Sequence, residues 1–74
     1  MKIIYTKHAS LRIGQRELSK KHVEDTLKHP RRIFSSFKGR QIAQKDFRTK
    51  TLEVVYKRIN GETVIITAYW LRKE

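Results

Sequence analysis

His8, Arg12 and Arg16 stand four residues apart, so on a helix they form one cationic row. Like charges at that spacing cost a helix about 0.2–0.5 kcal/mol per pair, and only Glu17 is near enough in sequence to relieve them. Phosphate chemistry accounts for such a row. Arginine offers a forked set of donors that matches phosphate oxygens, and histidine exchanges a proton near neutral pH. A solvated basic face would present the same three residues. Ala9 and Ile13 flank the row on one side and Leu11 on the other, which predicts a helix partly buried on both flanks.

A second group follows Pro30. Arg31, Arg32, Arg40, Lys45 and Arg48 are interleaved with Phe34, Phe37 and Phe47. Cations for the backbone and rings for base stacking are what single-stranded nucleic acid requires. So small a domain also needs its large rings, and the three phenylalanines are expected in the core. A third group, Tyr56, Arg58, Thr67 and Tyr69, brings hydroxyls and a guanidinium that suit acid–base work at a phosphate. Threonine and tyrosine are also simply good strand formers.

Other chemistries lack their residues. The chain has no cysteine, which removes disulfides, thiolate metal sites and a cysteine nucleophile. Glu17, Glu24, Asp25, Asp46, Glu53 and Glu62 show no metal-ligand or glycosidase pairing. His8, His22 and His29 lack zinc spacing, and His29 in a helix's last turn suits the helix dipole. There is no glycine-rich phosphate loop. Neither a metal nor a cofactor is expected.

The elements must position these groups within 74 residues, room for one domain, 1–74. Eighteen Lys and Arg against seven Asp and Glu leave a net charge of +11. That charge opposes compaction and calls for a polyanion, nucleic acid ahead of an anionic membrane surface. No apolar run approaches the ~20 residues of a membrane span, and the opening Met1-Lys2-Ile3-Ile4-Tyr5 is too short for a signal peptide. A cytoplasmic location is expected.

Lys2 to Thr6 reads as a short strand. Thr6 caps a helix over residues 7–16, and Ser19 caps a second that Pro30 ends, with Leu18 and Val23 as a hydrophobic staple. The period then changes to two, giving strands over 31–37, 40–48, 51–59 and 62–71. Asn60-Gly61 is a type I′ hairpin signal. A two-residue loop pairs Ile59 with Glu62 and, by strict alternation, Val55 with Ile66, Val54 with Thr67 and Leu52 with Tyr69. Val55, Lys57, Ile59, Val64, Ile66, Ala68 and Trp70 are then expected to meet the helices. Tyr56, Arg58, Thr67 and Tyr69 are expected to share the working face. The fold class is α+β: a short N-terminal strand and two helices packed on a four-stranded antiparallel sheet.

Thr6-Lys7-His8-Ala9, Arg12, Arg16, Leu18-Ser19, Val23-Glu24, Leu27, Pro30 and the closing Val64-Ile65-Ile66-Thr67-Ala68 resemble the family named domain of unknown function 4258. The resemblance spans nearly the whole chain. It implies a fold similar to RelE and BrnT toxins and to the wider barnase and colicin ribonuclease group. It also implies metal-independent cleavage of RNA, often under the control of an antitoxin. In that reading His8 is the general acid or base, Arg12 and Arg16 hold the phosphate, and Thr67 matches the polar position of the last strand. Tyr56, Arg58 and Tyr69 join from the register alone. Arg16, Arg31, Arg32, Arg40, Lys45, Arg48 and Arg58 are the expected RNA contacts. The expectation is a small basic endoribonuclease, toxin-like, acting on RNA or on mRNA at the ribosome. The alternatives are a non-catalytic RNA- or ribosome-binding module, and a basic domain that mainly docks an acidic partner.

Overall fold

Thr6 leaves the first strand in an extended conformation and its hydroxyl accepts the Ala9 N–H at 3.1 Å, opening the first helix as expected. Ser19 does the same for the second helix through the His22 N–H at 3.1 Å. The computed structural model describes residues 2–16 and 18–72, and Glu17, the expected relief for the cationic row, lies outside them. The elements are β1 (Lys2–Tyr5), α1 (Lys7–Gln15), α2 (Lys20–Lys28), β2 (Arg32–Ser35), β3 (Gln41–Phe47), β4 (Lys50–Ile59) and β5 (Glu62–Arg72). A single turn of 3₁₀ helix, Phe37–Gly39, joins β2 to β3. Among the described residues no helix is long and apolar enough to cross a membrane.

The fold is α+β with both helices, but the sheet has five strands in the order β1-β5-β4-β3-β2. The expected four-stranded antiparallel sheet is corrected by β1, which pairs parallel to β5 from Lys2 with Glu62 to Tyr5 with Ile65. This pairing lets Ile3 and Tyr5 pack against the core.

The hairpin turn is as expected. Asn60 (φ 48°) and Gly61 (φ 78°) are both left-handed, and the expected register runs from Ile59–Glu62 to Tyr56–Ile65. It then breaks. A β-bulge skips Ile66, so Val55 faces Thr67, Val54 faces Ala68 and Leu52 faces Trp70. Ile65 and Ala68 are three apart, and strict alternation cannot bury both; one bulged residue can. Both are fully buried.

The shift also corrects the faces. Leu52, Val54 and Tyr56 join Ile65 and Ala68 in the core under the helices, where Ala9, Ile13, Leu18 and Val23 meet them. Val55, Lys57 and Val64 lie on the opposite face, and Ile59 is exposed. Trp70 keeps its expected place, edge-on to His22 (5.6 Å) and Phe47 (5.6 Å). Phe34 and Phe37, expected in the core, are exposed at 42% and 72%. Phe34 pairs with Ile42, which pairs with Val55, so it faces away from the helices, and Phe37 lies in the 3₁₀ turn after β2; α2 packs mainly on β4 and β3, and α1 on β5 and β1.

Candidate functional site

The α1 helix is tied to β5 at both ends. The Thr6 hydroxyl donates to the Ile65 carbonyl at 2.9 Å, and Arg16 Nη1 donates to the Ala68 carbonyl at 3.1 Å. Beyond Ile65, β5 pairs with no further strand on that side among the described residues, since β1 ends at Tyr5. The row His8, Arg12, Arg16 therefore belongs to the helix fastened along this uncovered edge. His8 is exposed, whereas Arg12 is half-buried, with Nη1 3.4 Å from Gln15 Oε1 and a buried Nε without a partner among the described residues. A buried guanidinium nitrogen left unmatched is poised for an acceptor.

Cross-strand partners share a face, so the face away from the helices carries Arg32, Gln44, Glu53, Thr67 and Tyr69. A continuous line of contacts crosses it. Arg32 Nε donates to Gln44 Oε1 at 2.7 Å, and Gln44 Nε2 donates to Glu53 Oε1 at 2.5 Å. The Tyr69 hydroxyl donates to Glu53 Oε2, and the Arg16 guanidinium lies 5.9 Å from the centre of the Tyr69 ring. The line runs from β2 to the edge of β5 with an arginine at each end.

The sequence reading named Tyr69, Arg16 and Arg32 separately, and all three stand on this line; it set Thr67 on the face of Tyr69, where it is. It put Tyr56 and Arg58 on the wrong one. Tyr56 is 6% exposed on the helix side, its hydroxyl donating to Gln41 Oε1 at 3.2 Å, and burial pushes its ionisation up. Arg58 shares that side with Tyr56 at the exposed hairpin end. Lys45 also points to the helix side, where it caps α2 through the His29 carbonyl (3.2 Å) and approaches Asp25 (3.9 Å). Arg31 is paired with Asp46 at 2.5 Å, Arg48 occupies the β3–β4 turn at φ 54°, and Arg40 lies half-buried before β3 with an Nε that has no partner among the described residues. Of the seven cations named for RNA, Arg16 and Arg32 stand on the line.

Glu53 and Gln44 were missed. Glu53 reads as one polar residue inside the apolar run Leu52 to Tyr56, and its 9% exposure shows only in the fold. Its signal in the sequence is that run: a strand buried on both faces has little reason to carry a carboxylate. Among the described residues no three His, Asp or Glu side chains are grouped as metal ligands would be.

Two tyrosines hold their protons tightly. Burial pushes Tyr69 up to about 12, aided by its hydrogen bond to Glu53 and the charge of that carboxylate, and opposed by Arg16. Burial also pushes Tyr5 up to about 12, with the charge of Glu24 and a 3.2 Å hydrogen bond to it adding to the shift. A raised value means the folded chain keeps a proton the unfolded chain has lost. The stabilisation is therefore complete below pH 10 and is lost as pH climbs toward 12. The melting temperature is expected to fall across that window, less steeply in Tyr5→Phe. Tyrosinate absorbance rising fully near pH 10 in the folded chain would contradict this.

None of the curated proteins matches the chain. Among solved structures, the crystal structure of the Brucella abortus ribonuclease toxin BrnT superposes with a TM-score of 0.74 at 20% identity, covering 99% of each chain. At that identity the likeness establishes the fold. The model of the family "Domain of unknown function (DUF4258)" matches residues 5–70, so the chain belongs to that family.

Proposed function

We propose that this protein is a small, toxin-like endoribonuclease that needs no metal. It would cut RNA by attack of a ribose 2′-hydroxyl on the adjacent phosphate. The observation that carries this reading is the line from Arg16 through Tyr69, Glu53 and Gln44 to Arg32. It places proton-exchanging groups between two guanidiniums on a helix-free sheet face. The net charge of +11 and a fold shared with a ribonuclease toxin support it. Arg12 and Arg16 hold the phosphate as negative charge builds on it. His8, one and two turns before them on α1, serves as the acid for the leaving 5′-oxygen, and Thr67 and Tyr69 supply hydroxyls. The remaining cations draw the strand in through charge. An acidic antitoxin and a cytoplasmic location fit a chain of this charge and kind.

The second reading, an RNA- or ribosome-binding module without chemistry, is favoured by one observation. His8 is exposed and makes no hydrogen bond or ion pair among the described residues, so nothing holds its ring toward β5. Labelled RNA in excess EDTA, incubated with the wild-type chain and with His8→Ala, separates the two. Cleavage by the wild type and binding without cleavage by the variant support the ribonuclease. An equal mobility shift by both, with intact RNA, supports the binding module.

A further inference from the structure

Glu53 has no structural need to be a carboxylate. Its neighbours on the strand are Leu52, Val54 and Val55, and a buried carboxylate costs several kcal/mol unless well compensated. Among the described residues it has no ion pair, although the chain carries eighteen Lys and Arg. What it has instead is two neutral donors, Tyr69 Oη and Gln44 Nε2. Gln44 is itself fixed by Arg32, whose Nε occupies the amide oxygen at 2.7 Å and so turns the NH₂ toward Glu53. The charge is thus kept unneutralised, oriented, and aimed at one hydroxyl.

Tyr69 is half-buried on the same face, with the Arg16 guanidinium 5.9 Å from the centre of its ring. A tyrosine that stays protonated to high pH is not by itself a base near neutrality. Its oxygen can take a proton only if its own proton has somewhere to go. Glu53 is that place.

Resting on the ribonuclease reading above, we propose that Tyr69 and Glu53 act as one proton relay that activates the ribose 2′-hydroxyl. Tyr69 Oη takes the proton of the 2′-hydroxyl while its own proton passes to Glu53 Oε2. The 2′-oxygen bonds to phosphorus, the bond from phosphorus to the 5′-oxygen breaks, and that oxygen leaves with a proton from His8. The products are a 2′,3′-cyclic phosphate and a 5′-hydroxyl. Glu53 is left protonated and His8 deprotonated, and solvent resets both. Tyr69 touches the substrate and is the catalytic residue; Glu53 and Gln44 are positioning residues. Arg16 spends one donor on the Ala68 carbonyl and keeps others for the phosphate.

Several groups face Glu53 or its partners. They are Tyr69 from β5, Gln44 and the Arg31-paired Asp46 from β3, Arg32 from β2 through Gln44, and Arg16 from the end of α1 through Tyr69. Among the described residues Glu53 is the one carboxylate hydrogen-bonded to Tyr69, so this scheme assigns the acid limb of the rate profile to Glu53.

The test measures cleavage of labelled RNA against pH for wild type, Glu53→Gln, Tyr69→Phe and the double variant. Each single change is expected to lower kcat about 100-fold or more with little change in KM. The double variant should be no slower than the singles, because the two act as a unit. Glu53→Gln should also lose the acid limb, and its Tyr69 should titrate at lower pH by near-ultraviolet absorbance. If Glu53→Gln fails to fold, Tyr69→Phe, which removes only a hydroxyl, must still show the rate loss and the cyclic end must still mark the wild-type product. A wild type that cuts while Glu53→Gln keeps its rate and acid limb overturns the relay and leaves the ribonuclease reading intact. A wild type that binds RNA and never cuts it overturns both.

Discussion

His8→Ala is expected to bind RNA as the wild-type chain does and to cut it about 100- to 10,000-fold more slowly, the range over which a positioned acid or base acts. The change should not disturb the fold. His8 is exposed in the first turn of α1, while the buried face of that helix is made by Ala9 and Ile13. Its ring makes no hydrogen bond or ion pair among the described residues, so truncating it removes no side-chain contact that holds the helix. Binding should also survive, since charge attraction is carried by arginines and lysines elsewhere. The salt dependence gives a second check. For single strands log K falls with log salt at about −0.7 per phosphate neutralised, so seven contacts would weaken binding about 900-fold between about 50 and 200 mM salt. Arg31 and Lys45 are engaged with carboxylates and Arg58 lies on the far face, which leaves about four, and about a 50-fold loss. Both proteins should show the shallower slope. Equal cleavage by the two would remove His8 from the mechanism.

Local signals carried most of the fold. A hydroxyl three residues before a helical turn reveals itself as a cap without tertiary help, and Thr6 and Ser19 both are caps. Asn60-Gly61 dictates its own turn because few other pairs tolerate two left-handed residues. What remained hidden depends on distant partners. Lys2 meets Glu62, sixty positions further along the chain, and no period in the first five residues announces a parallel neighbour. The bulge at Ile66 is of the same kind. Val64-Ile65-Ile66 is uniformly apolar, so alternation has no polar residue to keep its phase, and only the fit of Ile65 and Ala68 against the helices decides which residue is skipped.

The site inherits that hidden step. Tyr56 and Tyr69 share a face if the register is continuous and are on opposite faces once one residue is skipped. Tyr69 therefore meets Glu53, and Tyr56 becomes core with Leu52 and Val54. The helical row was legible because spacing alone aligns residues four apart. The line across the sheet was not, because Arg32, Gln44, Glu53 and Tyr69 come from four strands and nothing in sequence joins them.

Leu52→Ala turns that register into a measurable quantity. Under continuous pairing Leu52 would face Tyr69 on the working face, and losing its side chain would cost little. With the bulge it is fully buried on the helix side, paired with Trp70 on β5 and Lys45 on β3. Truncating such a leucine removes its transfer energy and leaves a cavity, about 2–5 kcal/mol together. A domain of 74 residues has roughly 4–11 kcal/mol in all, and a net charge of +11 lowers that through self-repulsion. A loss of about 3 kcal/mol should lower the melting temperature by roughly 12–24 °C, or unfold the chain outright at the low end of that stability. Ile66→Ala is the matched control. It removes a residue of similar size that continuous pairing would set against the helices, whereas Ile66 is only half-buried at the skipped position. It is expected to cost clearly less than Leu52→Ala. Calorimetry of the two variants reads the faces directly. The reverse order would restore Tyr56 to the working face and separate Tyr69 from Glu53.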